Sequence, residues 1–348
     1  MTDPEGTPRP DPVRRELSER AAVGDVDAIL ELAELLEESG EREQAEEVFR
    51  TAAASGVDDI LLDYAYFLED LPGRESEAEA VYRRAIEVGI TEAHTVLAVF
   101  LVVMGRTPEA EEEFSRAVAS GDITAHSTYG RVLFQQGRLA EAEEQFLLGI
   151  ASGDPNHNRL GNLYADLGLV EEATREYLLA IESGDDVFVE YGDLLHYQLN
   201  RTSDAEREYR RGLEHGGYPE LAHFSLASLY AEQGCLVEAE EHFRLAAQGA
   251  PAYADDLADL LKAEGRTEEA ETLYRVAIGA GERAAHEGYG ELLLQSGRYE
   301  EAVEQLQAAY KAKPDRDTLV RLGYALSKLG RREAAARIYR SFEGEKWV

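Results

Sequence analysis

The chain has 348 residues, with 70 acidic against 35 basic side chains and a formal net charge of −35; its hydrophobic content of 44% is enough to bury a continuous apolar ridge. A polyanion of this kind is not expected to bind nucleic acid or anionic membrane surfaces, because both are held by Lys and Arg displacing counterions. The single cysteine, Cys235, allows no disulfide within the chain, and no stretch approaches the ~20 apolar residues of a membrane span, so a reducing, cytoplasmic setting is expected.

Residues 1–12 form a lead with four prolines and no apolar run, expected to be disordered and not a signal peptide. An amphipathic helix from Val13 to Val23 then opens an array that runs to residue 343 and leaves 344–348 as a tail. Ten helical pairs follow one another at a period of about 32 residues, the signature of a solenoid in which each unit packs on its neighbours. Between the helices of each pair stands a turn glycine: Gly40, Gly73, Gly105, Gly137, Gly168, Gly234, Gly265, Gly297 and Gly330, with Asn200 in the sixth unit. Glycine, and next best asparagine, lets a helix end in a left-handed conformation.

Five residues after every turn comes alanine, from Ala45 to Ala335, and four further on an aromatic, as in Phe114, Phe146, Tyr177 and Tyr209; Leu306 alone breaks this series. The spacing puts both on one face of the second helix. In the first helix a small residue recurs (Ala33, Ala65, Ala98, Gly130, Gly161, Gly192, Ala227, Ala258, Gly290, Gly323), which lets two helix backbones approach. Most units close on a second glycine, Gly56 to Gly281 and including Gly249, with Pro314 doing the equivalent in the ninth. Period-2 runs bounded by turns, the mark of strands, are absent.

The small residue, inter-helix glycine, alanine and aromatic, in this order and spacing over about residues 25–342, resemble the tetratricopeptide repeat family. The units run about 32 residues rather than the family's 34 and end mostly in glycine where the family usually has proline. The resemblance implies an all-α, right-handed superhelical solenoid of about ten antiparallel helix pairs, its first helices lining a concave groove that binds peptides or proteins. Arginine far outnumbers lysine, which fits the coding bias of a GC-rich, bacterial genome.

Motifs for catalysis, cofactor binding or metal binding are missing: there is no P-loop, paired CxxC, HExxH or GxSxG. Carboxylates are so frequent that no pair of them is informative, and a solvated helix face accounts for them. His94, His126, His157, His223 and His286 each lie eleven residues before their turn glycine, so they share one slot. A shared metal is disfavoured, since successive units stand ~10 Å apart whereas zinc ligands must lie about 2.0–2.3 Å from the ion. Packing histidines with a satisfied ring nitrogen are expected, with the corollary that acid loosens the stack. Cys235 follows Gly234 where other turns have arginine, and is expected to be an exposed, neutral turn residue.

Transferring the family's lining positions gives an acidic N-terminal groove (Leu30, Glu34, Glu37, Glu38, Leu62, Tyr66, Glu69, Asp70), then an apolar third unit around Val99. Arg131, Phe134, Gln135, Asn158 and Asn162 follow, then Asp193, Tyr197 and Phe224. The family's carboxylate clamp, with its set of lysines and asparagines, is not reproduced. Repeats two and six each carry one extra residue, before Gly73 and before Asn200, and Trp347 in the tail is a candidate cap for the last pair. The expected function is a non-enzymatic scaffold or adaptor whose acidic groove binds a protein or peptide, a basic one by charge. The alternatives are a peptide- or small-ligand-responsive regulator and, less favoured, an enzyme or enzyme accessory in a bacterial pathway. Self-association through terminal repeats is left open.

Overall fold

The computed structural model describes residues 12–344, with side chains described as far as Tyr339; residues 1–11 of the Pro-rich lead, and Trp347, lie outside the described residues. Among the described residues every regular element is helical. The opening helix α1 runs Pro12–Ala21, one residue earlier than expected, because proline is accommodated at the first helical position, where its missing N–H is not needed.

The chain divides into two compact units, residues 1–163 and 164–348. The first contains α1, then the pairs α2 (Val26–Glu38) and α3 (Arg42–Ala54), α4 (Leu61–Glu69) and α5 (Glu75–Glu87), α6 (Ala93–Val103) and α7 (Thr107–Ser120), and α8 (Ala125–Gln135) and α9 (Leu139–Ala151). The division falls inside α10 (His157–Asp166), the partner of α11 (Val170–Ser183). The second unit continues with α12 (Phe188–Asp193) and α13 (Thr202–His215), α14 (Pro219–Glu232) and α15 (Leu236–Gly249), and α16 (Ala254–Ala263) and α17 (Thr267–Gly279). It ends with α18 (Ala285–Gln295) and α19 (Tyr299–Ala312), then α20 (Arg316–Lys328) and α21 (Arg332–Gly344).

Within each pair, the predicted small residue is where the second helix lays its aromatic ring. A Cβ on Gly130 of α8 would stand 2.7 Å from the Phe146 ring of α9, and one on Gly192 would stand 2.5 Å from Tyr209. Leu306, the exception in sequence, does the same against Gly290, where a Cβ would lie 2.8 Å away. The alanine four residues before the ring is fully buried from Ala45 through Ala302. In the pairs built on Gly130, Gly192, Gly290 and Gly323 a large side chain is therefore seated on bare backbone, with alanine filling the space one turn earlier.

The turns follow from local chemistry. At Gly105 φ is +73°, which lets its N–H reach Val102 O (2.9 Å) and the Arg106 N–H reach Leu101 O (2.8 Å), closing off the end of α6. Asn200, at φ +52°, is the one non-glycine with positive φ among the described residues. The extra residue before it widens α12 into a π-helical turn, Leu194–Gln198, rather than lengthening the loop. The extra residue of the second repeat instead sits in the turn after α4, at Leu71–Gly73.

Three expectations are corrected. Gly249 does not close its unit with a left-handed turn: it lies in the last turn of α15, and Ala250 stops the helix in an extended conformation (φ −137°, ψ 108°) ahead of Pro251. Lys313 ahead of Pro314 is alike (φ −142°, ψ 102°), because proline's ring drives the residue before it out of the helical region. Glycine at 249 is required instead by α14, since a Cβ there would lie 2.9 Å from Glu220 Cβ. The second correction concerns the acids of the second helices, which are not all a passive solvated face. Arg106 donates to Glu79 of the preceding repeat (2.6 Å) and to Glu109 of its own (2.7 Å). Arg74, Arg138, Arg266 and Arg298 staple Glu46, Glu111, Glu240 and Glu271 to their own repeats in the same way. The Arg106 bond holds the Glu79 carboxyl below its ordinary range. Where Cys235 stands in place of this arginine, Glu206 is taken by Tyr230 Oη (2.7 Å) and Arg210 (2.6 Å), and the cysteine is half-buried rather than exposed.

Two outcomes are expected in thermal melts followed by circular dichroism. Gly130→Val, which drives two methyl groups into the Phe146 ring, costs about 2 kcal/mol. Arg106→Ala lowers the melting temperature more than Arg50→Ala, whose single ion pair with Glu47 lies on its own helix.

Candidate functional site

The faces that the first helices leave uncovered carry two adjoining clefts in the first unit. Helix α6 is apolar nearly all round; Leu97, Phe100 and Leu101 go to the core, which leaves Val99 half-buried and Val103 73% exposed on the other side. Together with Tyr66 and Glu69 of α4, and with Thr128 and Arg131 of α8, they line a cleft of about 360 Å³ floored by Phe100. Tyr66 stands edge-on to the buried Tyr82 ring (centroids 6.0 Å apart), and the Tyr82 hydroxyl donates to Glu69. Burial raises the Glu69 carboxyl above its ordinary value, an effect the tyrosine bond partly offsets. Below the cleft, Thr95 Oγ1 donates to Asp122, whose other oxygen accepts from Thr124 N (2.9 Å) and Thr124 Oγ1 (2.8 Å); this network anchors the start of α8 against α6.

Tyr66 also borders the second cleft, of about 300 Å³, between α2 and α4. Its walls hold Leu30, Phe67 and four carboxylates, Glu34, Glu37, Asp63 and Asp70, none of them ion-paired among the described residues. Desolvation pushes the Asp63 carboxyl up. Arg131 is the opposite case. It is half-buried, and it is the one arginine among the described residues that is neither solvent-exposed nor hydrogen-bonded or ion-paired.

The structure brings Val99 and Arg131 into one cleft with Tyr66 and Glu69, whereas Phe134 (half-buried) and Gln135 (exposed) lie beyond its lining at the end of α8. On α10, Asn158 Oδ1 accepts from the Arg159 N–H (2.7 Å) and Asn162 is exposed. The remaining predicted positions fall in the second unit. There Asp193 accepts from Tyr209 Oη (2.7 Å), Tyr197 is 60% exposed on the π turn beside His196, and Phe224 stacks on Tyr253 (4.9 Å). Acids on this unit's first helices are partly neutralised internally: Lys262 bridges Asp259 (2.7 Å) and Glu291 (3.2 Å), and Arg321 pairs with Glu287. Asp256 is pushed up to about 7, first by burial and then by Asp255 and Asp259.

The shared histidine slot is a packing position with its Nδ1 satisfied by the residue nineteen further on. His94 meets Glu113 (2.7 Å), His126 Gln145 (2.8 Å), His286 Gln305 (2.7 Å), and His223 the ring of His242 (2.9 Å). Among the described residues no group of three or more His, Cys, Asp or Glu is placed to hold a metal ion, and no helix is long and apolar enough to cross a membrane. Sequence reasoning missed that Arg131 lacks an anion while Arg74, Arg106, Arg138, Arg266 and Arg298 each hold at least two; residue type and spacing carry no signal for it.

Paired helices in tandem, each bound to the next through ring, alanine and turn, define a helical-repeat solenoid. Tetratricopeptide repeat profiles match residues 30–93, 97–158, 194–254 and 256–317, and the chain belongs to the tetratricopeptide repeat family. Its fold is similar to that of a tetratricopeptide repeat protein from Parabacteroides merdae (TM-score 0.50, 20% identity, 68% of this chain and 98% of that one). It is also similar to c5321, a protective antigen of uropathogenic Escherichia coli displaying an SLR fold (TM-score 0.44, 22% identity, 90% of this chain and 74% of that one). No curated protein matches the chain.

Burial holds both His223 and His242 below the ordinary value of 6.5; the neighbouring His223 and Arg210 lower His242 further while Glu241 opposes them. The unfolded chain therefore binds these protons more tightly. The stability of the neutral pair is complete above about pH 6.5 and falls as the pH drops below it. His242→Gln, which installs the partner found opposite His126 and His286, is expected to reduce the fall in melting temperature between pH 7.5 and 5.5 relative to the unsubstituted chain.

Proposed function

We propose that the chain is a non-enzymatic scaffold that holds an extended segment of a partner protein across the first helices of its first unit. Tetratricopeptide repeats generally serve as protein–protein interaction scaffolds. The observation that carries the reading here is the pair of adjoining clefts sharing Tyr66, in which exposed apolar side chains lie beside charges left without partners. Exposed Val103 and Tyr66 supply apolar area of the kind that anchors a bound side chain, and the unpaired carboxylates of the α2–α4 cleft suit a basic residue. The net charge of −35 adds long-range attraction for a basic partner. The cytoplasm is the setting this reading assigns.

Panning a random peptide display library on the full chain tests it. Val103→Asp places a charge in the apolar stretch at a largely exposed position and is expected to abolish enrichment of the peptides selected by the unsubstituted chain, with an unchanged melting curve. Equal enrichment on both proteins would remove this face as the binding site. For a selected peptide, affinity is expected to fall at least several-fold from 50 to 500 mM salt, read by fluorescence anisotropy.

A further inference from the structure

The half-buried guanidinium of Arg131 is out of place in this protein. Acids outnumber bases two to one, and five turn arginines (Arg74, Arg106, Arg138, Arg266 and Arg298) each take at least two carboxylates, yet no described carboxylate lies within ion-pairing distance of Arg131. A partly desolvated guanidinium without an anion is unfavourable by itself. Its planar fork of donors matches a carboxylate, and Thr128, three residues earlier on the same helical face, offers a hydroxyl to the same cleft. At the other end of the first unit's face the imbalance is reversed: Glu34, Glu37, Asp63 and Asp70 stand without a cation. Between the two lie Tyr66, Val99 and Val103.

We propose that this face reads a segment by charge order: a basic side chain in the α2–α4 cleft, an apolar one against Tyr66 and Val99, and an acidic side chain on Arg131. The inference rests on the peptide-binding reading above and adds the chemistry of the occupant. Packed helices lie ~8–10 Å apart, so about two and a half helix spacings separate the α2–α4 cleft from Arg131. That is roughly 20–25 Å, or about six to eight residues of extended chain at ~3.3 Å each. The occupant is an internal stretch of a partner with its acidic and basic side chains at opposite ends of an apolar centre. Net charge alone favours a different ligand, the most basic one available, and this separates the two explanations.

The test uses the full chain and fluorescein-labelled peptides, acetylated and amidated, that carry an apolar pair flanked at this spacing by two charged pairs. The charges are Lys–Glu in both chain directions, Lys–Lys, or Glu–Glu. A further Lys peptide has no glutamate and ends in a free carboxylate. Anisotropy is expected to give the Lys–Glu peptide, in one direction, roughly tenfold tighter binding than Lys–Lys. Arg131→Glu is expected to invert that order, and Arg131→Gln to erase it, with unchanged circular-dichroism melts since Arg131 holds no partner in the fold. Lys–Lys binding tightest to the unsubstituted chain would overturn the charge order and leave general peptide binding intact. A free carboxylate terminus that outcompetes the internal glutamate would overturn the internal-segment assignment. If no peptide binds below millimolar concentration, the peptide-binding reading of this face fails, and the charge order with it.

Discussion

The packing of this molecule turns on a large side chain of the second helix meeting a small residue of the first, in several pairs an aromatic ring seated against bare glycine backbone. Phe146 on Gly130, Tyr209 on Gly192 and Tyr339 on Gly323 bring paired helices closer than two ordinary side chains allow. Dispersion contacts over such a flat surface are numerous, and the buried alanine one turn away completes the fit. Because the contact is made within each pair and repeated along the chain, it forms unit by unit without a global core. The described residues are thus packed by hydrophobic clusters that extend through consecutive repeats of each unit.

Between pairs a second interaction takes over. In five repeats the arginine after the turn glycine reaches back to a carboxylate of the preceding repeat while holding one on its own helix. Each pair is part-exposed and individually modest in strength, but the geometry fixes how one repeat meets the next. This arrangement changes the meaning of the charge excess. Some acids on the second helices neutralise arginines while others stay unpaired, and further unpaired carboxylates line the first-helix face of the first unit.

That face gains its character from what its helices cannot bury. Helix α6 has more apolar residues than its packing face can use, so Val99 and Val103 remain at the surface. Tyr66 is held edge-on by Tyr82 and faces two clefts at once. In the second unit the corresponding positions are used differently: Phe224 stacks inward, Asp193 serves Tyr209, and Lys262 and Arg321 quench neighbouring acids.

The sequence by itself determined the fold class, the helix pairing and nearly every turn, because these depend on local preferences repeated at a fixed period. Positive φ selects glycine, and Asn200 in its place, while the small residue and ring recur in register. Val99, Arg131, Tyr66 and Glu69 were also named from the sequence, as lining positions that the resemblance to the family implied. Only the tertiary structure decided which of the chain's many carboxylates are paired, why glycine is needed at 249, and that Arg131 lacks an anion. It likewise decided that the extra residue before Asn200 is absorbed as a π turn within the helix. The physical reason is distance: an ion pair or a close backbone approach is settled over a few ångströms between residues some thirty positions apart. Local preference carries no information about that separation.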